Sequence, residues 1–241
     1  MVIFDEPLYL SGRSTQSHVY VGEKPDDIAK ADFQKGLARM GGFWRRPSYF
    51  ESYLTSAELL IEQGRLREDY DDIGLPAFYL QRHATELLLK RLLSWCIDIV
   101  EMRAKVSPAA DYQVPSKCKN ALNKNHNLRV LLKATKQMAK KAGEDPPPEK
   151  LTDLVEALIS VEESDHWSRY DHRYSHHQGK KIFHHGKVAT IPVVKLQVLL
   201  NEVANLTVSR SMNDATYENG LYSTYTMLMH VLDELSMTRG P

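Results

Sequence analysis

One long amphipathic stretch, "GLPAFYLQRHATELLLKRLLSWCIDIVEMRAK" over residues 74–105, constrains the fold of this chain most. Its apolar residues recur with the 3.6-residue period that places them on one face of an α-helix. They are Leu80, Ala84, Leu87, Leu88, Leu92, Trp95 and Ile99. Pro76 near the start is typical of a first helical turn, where no partner is needed for its missing N–H. A helix of about six turns with such a face must pack against others, which predicts a helical bundle.

Other stretches repeat the helical period. The predicted helices cover residues 48–64, 126–143, 151–167, a stretch from about Val193, and 217–237. Gly64 is the expected stop of the first, and Asn127 and Gly143 are expected to cap and end the second. Residues 106–125 read as a polar connector.

Strand signals are confined to an N-terminal arm and residues 181–191, and a short helix over residues 26–40 is predicted to close at Gly41-Gly42. The arm, residues 1–46, is of mixed or extended character. We therefore predict an all-α helical bundle over residues 47–241, with this short N-terminal arm and an extra C-terminal helix.

Composition excludes several classes of protein. The 31 basic and 31 acidic residues cancel, so no overall charge indicates nucleic-acid binding or disorder. Two cysteines, Cys96 and Cys118, make no disulfide framework. The N-terminus has no basic segment typical of a signal peptide, and no apolar run approaches the length of a membrane span. We expect a soluble, cytoplasmic protein that does not bind membranes.

A histidine-rich stretch, "RYDHRYSHHQGKKIFHHGK" over residues 169–187, carries the residue types needed for metal-free RNA cleavage. That reaction needs a base for the ribose 2′-OH, an acid for the leaving oxygen and a cation for the phosphate. Histidine suits the proton transfers, arginine suits the phosphate, and tyrosine can stack on a base. A zinc site is an alternative, because His172 and His176 have the i, i+4 spacing of two ligands on one helical face. The other alternative is a solvated polar connector between helices.

Three segments in this order resemble the HEPN domains. They are "FYLQRHATELLLKRLL" (residues 78–93), "HNLRVLLKA" (126–134) and "RYDHRY" leading to "GKK" (169–181). The resemblance covers about residues 49–205. It implies a helical bundle, commonly homodimeric, that binds RNA or nucleotide. Many HEPN members are metal-independent endoribonucleases of toxin–antitoxin, antiphage-defence and RNA-processing systems, some with an antitoxin or defence-protein partner. Others are catalytically inactive binding modules.

The resemblance fits the histidine-rich stretch in two ways. The nuclease motif, arginine followed after four to six residues by histidine, fits Arg169 and His176. Alternatively, Arg173 and Tyr174 match an arginine–tyrosine segment of relatives that lack an obvious nuclease motif. The first alignment implies a nuclease and the second a binding module, and the sequence leaves both open.

A polar stripe on the long helix completes the predicted site, because Arg82, Glu86 and Lys90 are spaced by four. It is either a solvated ion-pair ladder or a face turned toward the Arg-Tyr segment, with Glu86 orienting Arg169 or Arg173. His126 is expected to hold backbone at a helix start, and a catalytic role is the less favoured alternative. No metal and no cofactor is expected. The predicted catalytic residues are Arg169, Arg173, His176 and His177, and the predicted substrate-binding residues are Tyr174, Lys180, Lys181, Arg82, Glu86 and Lys90.

Overall fold

The structure is a computed structural model. It describes residues 26–38, 49–108, 111–162, 172–175, 179–183, 190–208 and 215–238. The chain divides into two units, Met1–Ser48 and Tyr49–Pro241. In the described part of the first unit, helix α1 covers Asp26–Gln34 and is followed by Gly36, whose φ of 66° is left-handed. The helix ends earlier than the predicted stop at Gly41-Gly42. The strands expected in the N-terminal arm fall outside the described residues.

The described part of the second unit is the predicted all-α bundle, with two short antiparallel strands. Its elements are α2 (Tyr49–Arg67), α3 (Asp71–Val106), α4 (Ser116–Lys124), α5 (Leu128–Ala142), α6 (Glu149–Val161), β1 (His172–Ser175), β2 (Lys180–Phe183), α7 (Val193–Thr207) and α8 (Tyr217–Thr238). Helix α3 is central, about 54 Å long at 1.5 Å per residue, and it packs against α2, α4, α5, α7 and α8. Helix α6 packs against α5 and α7.

The central position of α3 follows from its apolar face. Ala84, Leu88, Leu92 and Ile99, four residues of the predicted stripe, are completely buried. The helix begins at Asp71, so Pro76 lies inside it and not in its first turn as predicted. A proline at this position costs one backbone hydrogen bond, and the buried part of α3 begins at the next residue, Ala77.

Two ion pairs attach helices α2 and α8 to α3 at one point. The guanidinium of Arg91 donates to both carboxylate oxygens of Glu218, at 2.6 and 2.8 Å, and to Glu51 Oε1 at 2.8 Å. Trp95 Nε1 donates to the same Glu218 at 3.0 Å. A bidentate arginine–carboxylate pair fixes direction as well as distance. These bonds therefore set the position of the extra C-terminal helix that the sequence predicts.

Helix ends that depend on local chemistry agree with the sequence. The side chain of Asn127 accepts a hydrogen bond from the Val130 backbone N–H at 3.1 Å, and Gly143 ends α5 with a φ of 74°. Gly64 does not end α2, which continues to Arg67. A β-carbon on Gly64 would lie 2.7 Å from Tyr70 Cδ1, so close packing explains the glycine. The expected connector also contains a helix, α4.

The histidine-rich stretch contributes the two strands. Strand β1 pairs antiparallel with β2, with His172 opposite Phe183 and Tyr174 opposite Lys181. Gly179 has a φ of 60°, which glycine adopts without strain. Because His172 lies in a strand, the helical i, i+4 spacing behind the zinc alternative is wrong at this residue. Of the predicted strand over residues 181–191, residues 181–183 are in β2, residues 190 and 191 are not in a strand, and residues 184–189 lie outside the described part of the chain.

Candidate functional site

The polar stripe of α3 is buried. Arg82 is 2 % exposed and Glu86 is 1 % exposed, which excludes a solvated ion-pair ladder. One turn apart on the helix, Arg82 Nη1 donates to Glu86 Oε2 at 3.1 Å. One turn further on, Lys90 Nζ donates to Glu86 Oε1 at 2.9 Å, and Lys90 is still partly exposed. A buried carboxylate with a cation on each side needs both of them to offset its desolvation.

His126, 40 residues further along the chain, contacts the carboxylate of Glu86 from a second part of the bundle. Its Nδ1 lies 2.8 Å from Glu86 Oε1, the oxygen that also accepts from Lys90. The main chain at this position is held as well, since Arg82 Nη2 donates to the His126 carbonyl oxygen at 2.8 Å. His126 directly precedes Asn127, the cap of α5. Both its side chain and its backbone are therefore positioned by α3.

Glu162 completes the group from a third element. It follows the last residue of α6, and its Oε1 accepts a hydrogen bond from Arg82 Nε. The five residues Arg82, Glu86, Lys90, His126 and Glu162 are called the Glu86 cluster below. Arg82 is its centre, because one guanidinium joins the middle of α3, the start of α5 and the end of α6. The rigid, planar fork of arginine suits such a three-way junction better than lysine does.

The electrostatics of the cluster keep Glu86 ionised. Burial of the carboxyl raises its pKa, but the hydrogen bonds from Lys90 and His126 and the charge of Lys90 lower the pKa by more. The net result is a pKa below the ordinary value of 4.5. An ionised carboxylate only accepts hydrogen bonds, so each of its neighbours must donate to it.

The structure brings together part of the predicted site. Arg82, Glu86 and Lys90 form one cluster, in which Arg82 and Glu86 are buried. Arg173 and Tyr174 lie in β1, opposite Ile182 and Lys181.

The structure describes only some of the other predicted site residues. Lys180 lies in β2 opposite Ser175, and Lys181 is exposed. Arg169, His176 and His177 lie outside the described residues. The predicted orientation of Arg169 or Arg173 by Glu86 therefore stays a prediction.

The sequence reasoning does not predict the side-chain contacts of two members of the cluster. His126 lies at the start of α5 as predicted, but its side-chain bond to Glu86 is not predicted. Glu162 is one of several acidic residues at the end of an amphipathic stretch, and nothing in the sequence separates it from them.

Comparison with known proteins gives no relative: no family model, curated protein or solved structure matches the chain. Within the described ranges, no group of three or more His, Cys, Asp or Glu side chains is arranged to hold a metal ion. No helix in this part of the chain is both long enough and apolar enough to cross a membrane.

Proposed function

We propose that the chain is a HEPN-like, metal-independent endoribonuclease that cleaves single-stranded RNA. The observation that carries this proposal is the bond between Arg82 and Glu162. It joins the polar stripe of α3 to Glu162, which comes shortly before the arginine- and histidine-rich segment in the sequence. A fixed arrangement of catalytic side chains would need such an anchor in the chain close to the segment.

The chemistry follows from the residue types in the segment. A histidine accepts the proton of the ribose 2′-OH, and a second histidine donates a proton to the leaving 5′-oxygen. An arginine stabilises the charge that develops on the phosphate. Arg169, Arg173, His176 and His177 supply these groups within nine positions. Tyr174 offers a ring for base stacking, and no metal enters the scheme.

Incubation with varied single-stranded RNAs in the presence of EDTA tests this function. We expect wild type to cleave, and His176→Ala to lose about 10²- to 10⁴-fold in rate, the usual contribution of an acid or base. His230→Ala is the matched control, since His230 is an exposed histidine of α8 outside the cluster. An RNA pool left intact by wild type, or a His176→Ala protein that cleaves equally well, contradicts the proposal.

The same assay decides between the two alignments. Greater loss in Arg169→Ala than in Arg173→Ala supports Arg169 with His176 as the motif. Loss confined to Arg173→Ala supports the Arg173–Tyr174 alignment. We also expect a homodimer, which would bring the same segment in from both subunits. Light scattering on the purified protein measures its molar mass and so distinguishes a dimer from a monomer.

The second candidate is a catalytically inactive HEPN-like module that binds RNA, nucleotide or a protein partner. It is favoured by the burial of Arg82 and Glu86, whose charges are used within the protein. For this candidate, fluorescence anisotropy of a labelled single-stranded RNA would show binding, while the RNA stays intact in EDTA and in magnesium. Cleavage in EDTA that is lost in His176→Ala would exclude it.

A further inference from the structure

We infer that His126 is a catalytic residue of the proposed ribonuclease, with Glu86 as its positioning residue and Lys90 as a phosphate-binding cation. The inference rests on the proposed function but names a histidine outside the arginine- and histidine-rich segment. It starts from the pairing of an exposed histidine with a buried carboxylate in the Glu86 cluster. The imidazole of His126 is 44 % exposed, while the carboxylate that holds it is almost completely buried.

The bond to Glu86 fixes which nitrogen of His126 can act as a base. Because the ionised carboxylate accepts only, Nδ1 must carry the proton that bridges the 2.8 Å between them. In the neutral imidazole the lone pair is then on Nε2. A carboxylate at Nδ1 also stabilises the imidazolium that forms when Nε2 takes up a proton. Proton exchange with a substrate would therefore go through Nε2.

The position of the ring is fixed by more than one bond. Arg82 Nη2 holds the carbonyl oxygen of His126, and Asn127 begins α5 one residue later. The ring is thus anchored at its Nδ1 and at its own main chain. A general base gains rate from such fixing, because the geometry needed for reaction is established before the substrate binds.

Lys90 supplies a positive charge beside the ring. Its Nζ and the Nδ1 of His126 contact the same oxygen of Glu86, so they cannot lie further apart than the sum of those two bond distances. Lys90 is 20 % exposed, more than either Arg82 or Glu86. A phosphate has oxygens on several sides, so one phosphate can contact the ammonium group while its ribose reaches the imidazole.

The step that this arrangement supports is internal transesterification. Nε2 of His126 accepts the proton of the ribose 2′-OH, and the 2′-oxygen forms a bond to phosphorus. The bond from phosphorus to the 5′-oxygen breaks, and that oxygen takes up a proton from water. The products are a 2′,3′-cyclic phosphate and a 5′-hydroxyl, and His126 returns its proton to water. No oxidant, metal or external nucleophile takes part.

A purely structural reading is that the Glu86–His126 bond only secures the start of α5. Two variants separate the readings. His126→Ala opens space at an exposed site that free imidazole can enter, whereas His126→Gln keeps an N–H donor for Glu86 without a base at the position of Nε2. A structural role is satisfied by the glutamine, and a catalytic role is not.

The experiment measures single-stranded RNA cleavage in EDTA with wild type, His126→Ala, His126→Gln and the control His230→Ala. We expect both His126 variants to lose about 10²- to 10⁴-fold in kcat with little change in KM. We also expect added imidazole to restore part of the His126→Ala rate and to leave His230→Ala unchanged. Circular dichroism and the urea midpoint of His126→Gln should match wild type.

The outcomes that overturn the inference differ from those that overturn the function. If wild type cleaves and His126→Gln cleaves at the same rate, the role of His126 is refuted while the ribonuclease stands. If folded His126→Ala is inactive and imidazole restores nothing, His126 is structural. If wild type itself leaves RNA intact in EDTA, both the ribonuclease and its base are refuted.

Discussion

Replacing Glu86 by glutamine gives the sharpest test of the Glu86 cluster, because it removes one charge and almost no volume. In the wild type both carboxylate oxygens are used: Oε2 accepts from Arg82 Nη1, and Oε1 accepts from Lys90 Nζ and is bonded to His126 Nδ1. An amide has one accepting oxygen and one donating NH2 group. Whichever way it turns, its NH2 faces a donor.

The magnitude follows from what the amide leaves unsatisfied. Breaking one partner of a buried ion pair costs about 3–5 kcal/mol, because the remaining charge stays buried. Arg82 keeps Glu162 and the His126 carbonyl oxygen, and Lys90 is exposed enough to gain water. We therefore expect Glu86→Gln to lower the free energy of unfolding by about 3 kcal/mol, at the low end of that range.

Urea unfolding at about pH 7, followed by circular dichroism, measures this difference by linear extrapolation. The matched control is Glu156→Gln. Glu156 is paired with Arg129 at 2.6 Å, but both side chains are exposed, so we expect no measurable change there. A loss below about 1 kcal/mol in Glu86→Gln would mean that the charges of the cluster are solvated, and the argument from burial would be wrong.

The pH dependence of that difference has a definite sign. The folded-state pKa of Glu86 lies below its ordinary value of 4.5, because the bonds from Lys90 and His126 outweigh the effect of burial. Its contribution is then fully present above about pH 4.5 and is lost as the pH falls through the lower folded-state pKa. The gap between wild type and Glu86→Gln should shrink under acid conditions. A gap that is unchanged at about pH 3 would contradict the lowered pKa.

Two further predictions concern the core. Gly64→Ala should lower the free energy of unfolding by about 1–2 kcal/mol in urea, because the β-carbon would lie 2.7 Å from Tyr70 Cδ1 and overpacking outweighs the gain in helix propensity. Gly220→Ala in α8, with nothing within 4 Å of its β-carbon, should instead be neutral or stabilising, and equal effects would refute the clash. Burial raises the pKa of the Cys96 thiol to about 12 and also raises that of Cys118, so neither thiol should react with DTNB in the native protein. Unfolding in urea should release both, and a thiol that reacts at the same rate before and after unfolding contradicts this.

The sequence predicts the elements whose limits are set locally. Helix α5 begins and ends as predicted, because the Asn127 cap and the left-handed Gly143 act on their own neighbours in the chain. Gly64 and Pro76 mislead for the opposite reason. Gly64 leaves room for the ring of Tyr70, which lies beyond the end of α2, and Pro76 lies inside a helix whose extensive burial begins only after it, at Ala77.

In the site, too, local features are predicted from the sequence and tertiary contacts are not. A spacing of four residues is enough to predict that Arg82, Glu86 and Lys90 lie on one face. It cannot show what covers that face, because His126 and Glu162 come from 44 and 80 residues further along the chain than Arg82. Exposure of a polar stripe is a tertiary property. The solvated-ladder alternative is therefore wrong, because spacing along one helix does not show how the other helices cover it.

The position of the Glu86 cluster argues more for function than its energy does. Buried ion pairs often stabilise a protein no better than apolar residues of the same volume, so stability alone gives little reason for this one. Apolar residues, however, could not hold the carbonyl oxygen of His126 and the carboxylate of Glu162 at the same time. Arg82 does both through directed hydrogen bonds. A single buried guanidinium thus fixes the main chain of His126 and the end of α6. The sequence continues from there to Arg169 and His176, and a catalytic arrangement that included both His126 and this segment would need that fixed relation.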